Sequence, residues 1–334
     1  MKTIVISGAR SGVGKTTLAK EVARMIPGSV FVKIGHHGKH PTNADVLYGR
    51  DATFQQIHDR HADAACLIIE SNTILYEMTP DCVVYLSGDN AKPSARIAKE
   101  KADIIRGQRV DDATISALSA RLELDAATMR RIAWLAGARP SPLTAIILAG
   151  GKSSRMGSNK ALLEVDGMPL VQRVYQLVRP WCDEVLLSGD VRALVRGGAR
   201  GVSDRYPGCG PLAGIHACLD ASRTEHNLVV ACDMPNIDRY AIFALLAQSH
   251  GVDIVASSFG GGRVEPLLAF YRRRVALVAQ ALLQADRLAV RGLFDECPTR
   301  IHEFPGASWY RNLNTPDEYH HYVSETRTSQ AGAA

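Results

Sequence analysis

Short hydrophobic runs alternate with amphipathic stretches along most of the chain. The runs in the first part are rich in β-branched residues and predict buried strands at 3–8, 29–35, 65–71 and 82–88. After the first run, Leu18, Val22 and Met25 recur at helical spacing and predict a helix over 16–25. A hydrophobic strand followed by a glycine-rich loop and a helix is typical of an α/β nucleotide-binding domain with a parallel sheet.

The same alternation returns in the second half of the chain. Strands are predicted at 144–150, 184–190, 227–234 and 252–258, and helices at 170–178, 212–219 and 239–248. This order predicts a second α/β domain, and we expect a parallel sheet between two helical layers in each domain. The polar end of the chain, 324–334, has no hydrophobic period and is predicted to be disordered.

The stretch between the two halves has a different pattern. Residues 107–138 predict two helices, the first of them capped by Asp111 or Asp112. Residues 140–142 then form a short stiff Pro-Ser-Pro connector. The predicted organisation is a domain at 1–106, a helical segment and linker at 107–142, a domain at 143–323 and the tail at 324–334. A helix-turn-helix DNA reader is an alternative for the two helices, but a basic recognition helix is lacking, so a helical pair that finishes the first domain or bridges the two is favoured.

Composition narrows the class of protein. The chain has 334 residues, of which 46% are hydrophobic and 22% charged, and this suits two globular domains of about 150 residues each. No apolar run approaches the roughly 20 residues of a membrane span, and the first strand is too short for a secretory signal. We therefore expect a cytoplasmic protein that does not contact a membrane.

Cysteines and charge exclude further classes. The seven cysteines are scattered, without a CxxC pair or a zinc-like spacing to histidine, so we expect reduced thiols. The net charge of +5 is spread along the chain without a basic block. This distribution gives only weak support to nucleic-acid binding and fits small polyanionic ligands equally well, and we expect no nucleic-acid partner.

The stretch GARSGVGKTT at 8–17 fits a Walker A phosphate-binding loop, GxxxxGK(S/T), except that Ala9 holds the position of the leading glycine. In such a loop, backbone amides point at the β-phosphate, the lysine reaches the β- and γ-phosphates, and the hydroxyl binds Mg²⁺. Lys15 and Thr16 supply the lysine and the Mg²⁺-binding hydroxyl. The nucleotide-binding candidates of this half are Gly12, Val13, Gly14, Lys15, Thr16, Thr17 and Glu70.

Charged residues follow two of the predicted strands. Glu70 ends a hydrophobic strand and could hold Mg²⁺ or a water, as a Walker B carboxylate does, or it could simply face solvent. The basic residues after another strand are Lys33, His36, His37, Lys39 and His40. Their spacing does not suit one helix face and no cysteine is near, so a basic, substrate-facing loop is favoured over a metal site.

These features of the first half resemble the MobB family, P-loop proteins that accompany molybdenum cofactor guanylyltransferase. The resemblance rests on SGVGKTT, VKIGHHGKH and LIIESN and extends to about residue 101. After Glu70, SNTI stands where the family usually has a glycine. The resemblance implies a P-loop NTPase-like domain that binds GTP as an accessory module with low turnover.

A second glycine-rich loop, LAGGKSSRMGSNK at 148–160, follows the first predicted strand of the second half. Its cations, Arg155 and Lys160, lie beyond Gly150 and Gly151 on a long excursion that could wrap a triphosphate from the side. They would neutralise charge on the α-phosphate and on departing pyrophosphate. The pattern therefore indicates nucleotidyl transfer and not cleavage of a γ-phosphate.

From about 144 to 322 the chain resembles the MobA family, molybdenum cofactor guanylyltransferase. The resemblance is carried by the second loop and, in order, by SDRYPGCGPLAG, VVACDMP, RVEPLLAFY and NLNTP. It implies a Rossmann-like nucleotidyltransferase domain in which Arg155, Lys160 and Asp233 are catalytic and Asp233 holds Mg²⁺. The residues implied to bind GTP are Leu148, Ala149, Gly150, Gly151, Lys160, Ser188, Asp204, Gly210, Gly214 and Asp233. Asn312 and Asn314 are implied to face molybdopterin, although Asn314 could simply turn the chain before a helix.

Two details concern the nucleotide. Ser188 stands where the family often has asparagine, and a hydroxyl can replace one hydrogen bond of an amide. Relatives that use CTP carry LAAG where this chain has LAGG, and they lack the GPLAG stretch, so the resemblance favours guanine.

The implied reaction is attack by the terminal phosphate of molybdopterin, or of Mo-molybdopterin, on the α-phosphorus of GTP. Pyrophosphate leaves and the guanine dinucleotide cofactor forms. One alternative is a CTP-dependent cytidylyltransferase or another nucleotidyltransferase, and a second is a GTP-regulated carrier or docking protein. Molybdopterin-loading and molybdoenzyme maturation proteins are the implied protein partners of this bifunctional fusion.

Overall fold

The hydrophobic runs form two separate main sheets, one in each of two structural units, Met1–Ser141 and Pro142–Ala334. The structure is a computed structural model. It describes residues 1–35, 45–139, 141–149, 160–189, 197–237, 239–260, 263–305, 313 and 315–331.

The first unit alternates strands and helices. Its strands are β1 (Lys2–Gly8), β2 (Ser29–Ile34), β3 (Val46–Tyr48), β4 (Cys66–Glu70), β5 (Cys82–Leu86) and β6 (Ile104–Ile105). Its helices are α1 (Lys15–Met25), α2 (Phe54–Arg60), α3 (Ala95–Glu100), α4 (Asp112–Leu122) and α5 (Ala126–Ala136), with a 3₁₀ helix at Thr73–Tyr76. Among the described residues the strands form a six-stranded sheet in the order β3-β2-β4-β1-β5-β6, and every pair is parallel. The predicted strands and the first helix are confirmed, whereas the short β3 and β6 and helix α2 are additions.

Alternate residues of β1 enter two hydrophobic cores, because successive side chains of a strand point to opposite faces. Ile4 and Ile6 pack on one face in a core that includes Leu18 of α1. Val5 packs on the other face in a core that includes Ile57 of α2. Both faces of the sheet are therefore covered, and this is why the middle residues of its central strands are hydrophobic.

Helices α4 and α5 pack into the first unit. The side chains of Asp111 and Asp125 cap them, each accepting a hydrogen bond from a first-turn amide, at 2.8 and 2.9 Å. Ile115 of α4 and Met129 of α5 are fully buried in the same core as Ile4. The helices predicted between the domains therefore cover one face of the first sheet.

The second unit has more strands. They are β7 (Leu143–Leu148), β8 (Glu164–Val165), β9 (Met168–Pro169), β10 (Glu184–Ser188), β11 (Arg200–Val202), β12 (His226–Ala231), β13 (Ile254–Ser258), β14 (Val264–Arg272) and β15 (Thr299–Glu303). The helices are α6 (Leu170–Val178), α7 (Pro211–Ala221), α8 (Arg239–Ala247), α9 (Val275–Gln284), α10 (Gly292–Glu296) and α11 (Pro316–Ala331), with 3₁₀ helices at Lys160–Leu162 and Arg179–Trp181. In the described part, seven strands form a sheet in the order β11-β10-β7-β12-β14-β13-β15, and β8 pairs with β9.

Strand β14 departs from the predicted parallel sheet. It runs antiparallel to β12 and β13, whereas β11, β10, β7 and β12 are parallel to their neighbours in that row, and β15 is parallel to β13. Only residues 259–263 separate β13 from β14. Parallel neighbours need a crossover of about a dozen residues or more, so this short connection can only form a hairpin.

The end of the chain also differs from the prediction. Helix α11 includes residues 324–331, which the sequence pattern predicts to be disordered. Thr315 and Glu318 form a reciprocal capping pair at the start of the helix, with distances of 2.9 and 3.2 Å. His321 and Glu325 form an i,i+4 pair at 3.0 Å. Caps and polar pairs of this kind support a helix without leaving a hydrophobic period in the sequence.

All seven cysteines are free thiols, as expected. None of the helices in the described part of the chain combines the length and the apolar character that a membrane span requires.

Candidate functional site

The carboxyl ends of four parallel strands of the second unit lie in one row. Leu148, at the end of β7, pairs with Ser188 of β10 on one side and with Ala231 of β12 on the other. Ser188 pairs in turn with the last residue of β11. Asp204 and Asp233 follow the ends of β11 and β12 by two residues each. Open α/β sheets bind ligands at this edge, so the strand-end row defines the candidate site.

Helix α7 begins close to the strand-end row. Gly210 precedes the helix with a φ of 70°, a left-handed conformation that favours glycine. A Cβ on Gly214 would lie 3.2 Å from Ser188 Cβ and 3.4 Å from Leu148 Cδ2, and nearer still to the Ser188 hydroxyl. The absence of a side chain at Gly214 therefore lets α7 approach the strand ends.

Ser188 and Asp204 interact within the site. The Ser188 hydroxyl donates a long hydrogen bond of 3.4 Å to Asp204 Oδ1, and the Ser188 side chain is buried. Burial raises the pKa of the Asp204 carboxyl, and the hydrogen bond from Ser188 acts in the opposite direction. The hydroxyl at this position therefore orients and partly stabilises the charged form of a carboxylate.

Asp233 lies at the other end of the row and is half-buried. Its carbonyl accepts a hydrogen bond from Leu313 N at 3.1 Å, and Leu313 is fully buried in a cluster with Tyr322 of α11. The Tyr322 hydroxyl donates to Asn236 Oδ1 at 2.6 Å, three residues beyond Asp233. The C-terminal part of the unit thus fixes the backbone that carries this carboxylate.

Several predicted residues lie outside the described part of the chain. They are Gly150, Gly151, Arg155, Asn312 and Asn314 in the second unit and His36, His37, Lys39 and His40 in the first. Lys160 begins a 3₁₀ helix, but its side chain is also outside the description. Ala149, which follows β7, is buried.

The glycine-rich loop of the first unit turns at two glycines in the left-handed region, Gly12 with a φ of 80° and Gly14 with a φ of 95°. Lys15 begins α1, and its ammonium donates to the Arg10 carbonyl at 2.9 Å, so the side chain folds back over the loop. Burial lowers the pKa of Lys15, and the nearby charge of Glu70 acts in the opposite direction. Thr17 is exposed on the first turn of α1.

The substitution of alanine for the leading glycine has a structural explanation. Ala9 is fully buried and its side chain packs in a core of the first unit. The close approach falls one residue earlier, because a Cβ on Gly8 would lie 2.6 Å from Val13 Cγ2 and 3.2 Å from the Leu86 carbonyl. Val13 therefore contributes to the loop by packing its side chain against Gly8 at the end of β1.

Thr16, Glu70 and Lys33 converge beside the loop. The Thr16 hydroxyl donates to Glu70 Oε2 at 2.6 Å, and Lys33 Nζ lies 3.3 Å from the same oxygen and 3.0 Å from Thr16 Oγ1. Glu70 is only 6% exposed, so the solvent-facing alternative for this carboxylate is wrong. The three residues come from α1 and the carboxyl ends of β4 and β2, which meet at one edge of the sheet.

Sequence reasoning missed three residues near these loops. Asn72, in the SNTI stretch, accepts from Gly8 N at 3.1 Å and donates to Gly8 O at 3.0 Å, so its side chain holds the end of β1. His216 of α7 is buried edge-on against Tyr206 at 5.4 Å, and burial lowers its pKa. Arg106, after β6, reaches toward Gly14. Only Asn72 left a signal, as a polar residue directly after a hydrophobic strand.

Comparison with known proteins assigns the second unit to a protein family. Residues 145–299 match the sequence model of the family described as MobA-like NTP transferase domain. The probable molybdenum cofactor guanylyltransferase of Carboxydothermus hydrogenoformans is 31% identical over 184 residues, which cover 53% of this chain and 93% of the relative. The chain belongs to the MobA-like NTP transferase family. It is therefore a nucleotidyltransferase, and the strand-end row with Asp204 and Asp233 lies inside the part that matches this family.

Two further similarities involve the same half of the chain. The molybdenum cofactor guanylyltransferase of Vibrio cholerae is 34% identical over 186 residues, which cover 54% of this chain and 91% of the relative. Among solved structures, the molybdopterin-guanine dinucleotide biosynthesis protein A of Archaeoglobus fulgidus superposes with a TM-score of 0.47 and 21% identity, covering 55% of this chain and 99% of that chain. The glycine-rich loop of the first unit precedes the matched residues.

Proposed function

We propose that the second unit transfers GMP from GTP to the terminal phosphate of molybdopterin or Mo-molybdopterin. Pyrophosphate is released and molybdopterin guanine dinucleotide is formed. The observation that carries this proposal is the similarity, over more than nine tenths of their length, to relatives named molybdenum cofactor guanylyltransferase. The row of strand ends between Asp204 and Asp233 supports it, because it lies at the ligand-binding edge of the sheet and carries a carboxylate that could bind the cation that accompanies a nucleotide.

The chemistry requires alignment more than proton transfer. A phosphate nucleophile is already ionised at neutral pH, so the reaction needs no general base. The chain has to hold the attacking phosphate in line with the α-phosphorus and offset the negative charge of both groups. We assign Arg155 and Lys160 to the phosphates, and Gly210 and Gly214 to the close approach of α7 to the nucleotide. Leu148, Ala149, Gly150, Gly151 and Ser188 with Asp204 are assigned to the GTP, and Asn312 and Asn314 to molybdopterin.

The carboxylate of Asp233 fits a magnesium ligand. It is a hard oxygen donor, half-buried at the carboxyl edge, and its backbone is held in place by Leu313. Magnesium takes few protein ligands and completes its shell with phosphate and water. The described residues contain no group of three or more His, Cys, Asp or Glu side chains placed to hold a metal. When bound, Mg²⁺ would neutralise charge on the phosphates.

We also propose that the first unit is an accessory module that binds GTP. Its loop turns at Gly12 and Gly14, and Lys15 folds over it. The hydrogen bond from the Thr16 hydroxyl to the buried Glu70 supports a Mg²⁺-binding role for Thr16, because a magnesium-bound hydroxyl is commonly oriented by a neighbouring carboxylate.

The test uses the full chain and measures pyrophosphate release and dinucleotide formation with GTP, CTP or UTP, with and without molybdopterin. We expect turnover that depends on GTP and on molybdopterin. Asp233→Ala and Lys160→Ala should lower the rate by about 10²- to 10³-fold, as removal of other charge-stabilising groups does. Arg223→Ala is the matched control, because Arg223 is an exposed cation that precedes the amino end of β12.

Each other outcome points to a different function. Turnover of CTP in preference to GTP would move the assignment to cytidylyl transfer. Activity that Lys15→Ala abolishes and Lys160→Ala spares would favour a GTP-regulated carrier. Asp233→Ala protein that forms the dinucleotide at the parent rate would contradict the proposed site.

A further inference from the structure

We propose that Arg106 contacts a phosphate group of the nucleotide bound at the glycine-rich loop of the first unit. The inference rests on the proposed nucleotide site in that unit. It adds a cation that follows β6, the outermost strand beside β5, and that lies outside the loop motif and outside every residue assigned to the site above.

The sheet brings Arg106 to the edge that carries the loop. Ile105 of β6 pairs with Tyr85 of β5, and the next residue of β5, Leu86, pairs with Gly8 at the end of β1. Arg106 follows Ile105, so it stands level with the start of the glycine-rich loop, two strands away. Its side chain crosses that gap, because Arg106 Nη2 lies 3.7 Å from the point that a Cβ on Gly14 would occupy.

The position of Arg106 is built by the protein and does not depend on a ligand. Its amide donates to the Tyr85 carbonyl at 3.0 Å, and the Ser87 hydroxyl donates to its carbonyl at 2.8 Å. The Arg106 stem packs on Gly137, where a Cβ would lie 3.2 Å from Arg106 Cγ, and Arg106 Nε donates weakly to the Ala136 carbonyl at 3.4 Å. These contacts are with the C-terminal end of α5, whose carbonyls carry partial negative charge and favour a cation.

Among the described residues, the Arg106 guanidinium lacks a charged partner. It is half-buried, and burial lowers its pKa. Across the described ranges, no carboxylate forms an ion pair or a hydrogen bond with it. Partial burial of an unpaired cation is unfavourable, so a group of this kind points to an anion that is present when the protein works.

The glycine-rich loop beside Arg106 indicates that this anion is a phosphate group. In a glycine-rich loop that precedes a helix, the backbone amides around Gly14 and Lys15 converge on one phosphate. A guanidinium within reach of Gly14 can donate two parallel hydrogen bonds to the same or the adjacent phosphate, a geometry that a lysine cannot supply. Two further cations lie beside the loop, because Lys33 Nζ lies 3.0 Å from Thr16 Oγ1 and Lys92 Nζ donates to the Ser11 hydroxyl at 3.2 Å.

The experiment is calorimetric titration of the full chain with GTP and with GDP, combined with thermal unfolding of the ligand-free protein. The full chain has two proposed nucleotide sites, so the titration reports binding at both. The part of the binding heat that disappears in Lys15→Ala is assigned to the nucleotide site of the first unit. Within that component, we expect Arg106→Met to weaken both nucleotides about 10- to 100-fold, the loss typical of a charge-assisted pair of hydrogen bonds. Arg106→Lys should retain part of the affinity. The matched control is Arg96→Met, which removes an exposed arginine of α3 in the same unit.

A purely structural role gives a different pattern. Because no described residue provides Arg106 with a counter-ion and methionine keeps a long stem that can pack on Gly137, Arg106→Met should unfold near the parent temperature. If Arg106→Met unfolds well below the temperature of Arg96→Met, and Arg106→Lys unfolds as early and binds as weakly as Arg106→Met, Arg106 belongs to the fold and the proposal is overturned. Parent affinity in Arg106→Met would also overturn it and leave the nucleotide site standing. If Lys15→Ala removes no component, the nucleotide site itself is refuted.

Discussion

Replacing Gly214 by alanine adds one methyl group at the place where α7 meets the strand ends. Two opposing effects follow. Alanine is a better helix former than glycine by about 0.8–1.0 kcal/mol in a helix interior. The new Cβ would lie 3.2 Å from Ser188 Cβ and would overlap the Ser188 hydroxyl, and both groups are buried. Overpacking of this kind costs about 1–3 kcal/mol.

The balance favours destabilisation, by about 0–2 kcal/mol after the helix gain is subtracted from the overpacking cost. Function should suffer more than stability. The clash is relieved either when α7 moves away from the row or when the Ser188 hydroxyl rotates away from Asp204. Either change displaces groups that we assign to the nucleotide, and a displacement of that size can lower catalytic efficiency by about 10-fold or more.

The assay is urea unfolding of the second unit together with kcat/KM from pyrophosphate release. Gly292→Ala is the matched control, because a Cβ at Gly292 in α10 would make ordinary contact at 3.4 Å with Leu282. Adding Ser188→Ala to Gly214→Ala removes the overlapping hydroxyl and should restore part of the stability while activity stays low. If Gly214→Ala matches Gly292→Ala in both stability and kcat/KM, the close-approach argument is refuted.

Three further predictions concern charges and thiols. Glu70→Gln should lower the free energy of unfolding by about 1–3 kcal/mol, because it leaves the Lys33 ammonium without its charge partner. Additive effects of Glu70→Gln and Lys33→Met in a double-mutant cycle would contradict this. The Asp204 carboxyl has a pKa raised above its unfolded value by burial, so the native state binds the proton more tightly and this contribution to stability is lost as the pH rises. Asp204→Asn should therefore be more stable than the parent at pH 7, and denaturation at a series of pH values should show the difference shrinking as the pH falls toward about 4; a constant difference would count against it. Burial also raises the thiol pKa of Cys66 and Cys218 to about 12, whereas Cys209 is the one cysteine that is not buried. A thiol-reactive dye should therefore label a single rapidly reacting thiol, and Cys209→Ser should remove it. Rapid labelling of a second thiol would refute this.

Much of the fold follows from local patterns in the sequence. Strands β1, β4 and β12 each contain an uninterrupted run of hydrophobic residues, and such a run indicates a sheet covered on both faces. Strand β6, with two residues, is too short to leave a pattern. The antiparallel direction of β14 is set by the short connection after β13, which a helix-strand alternation does not reveal.

The two sites divide in a similar way. Leu148, Ser188, Asp204 and Asp233 could be found because each lies at or just after a predicted strand, and parallel strands bring their carboxyl ends together. Arg106 could not be found from the sequence, because its position depends on which strand lies beside β5 and on where α5 ends. Such long-range pairings are properties of the folded chain and not of a sequence window.

The strand-end row also fixes the distance between the ends of β11 and β12. Neighbouring strands are about 4.8 Å apart, so the three steps from β11 to β12 separate the backbones before Asp204 and Asp233 by about 14 Å. Hydrogen bonds of the sheet set this length, and they are far stiffer than a loop. A molecule that contacts both carboxylates has to bridge strand ends held about 14 Å apart, less the reach of the two loops and side chains, so the spacing of the strands limits the length of such a ligand.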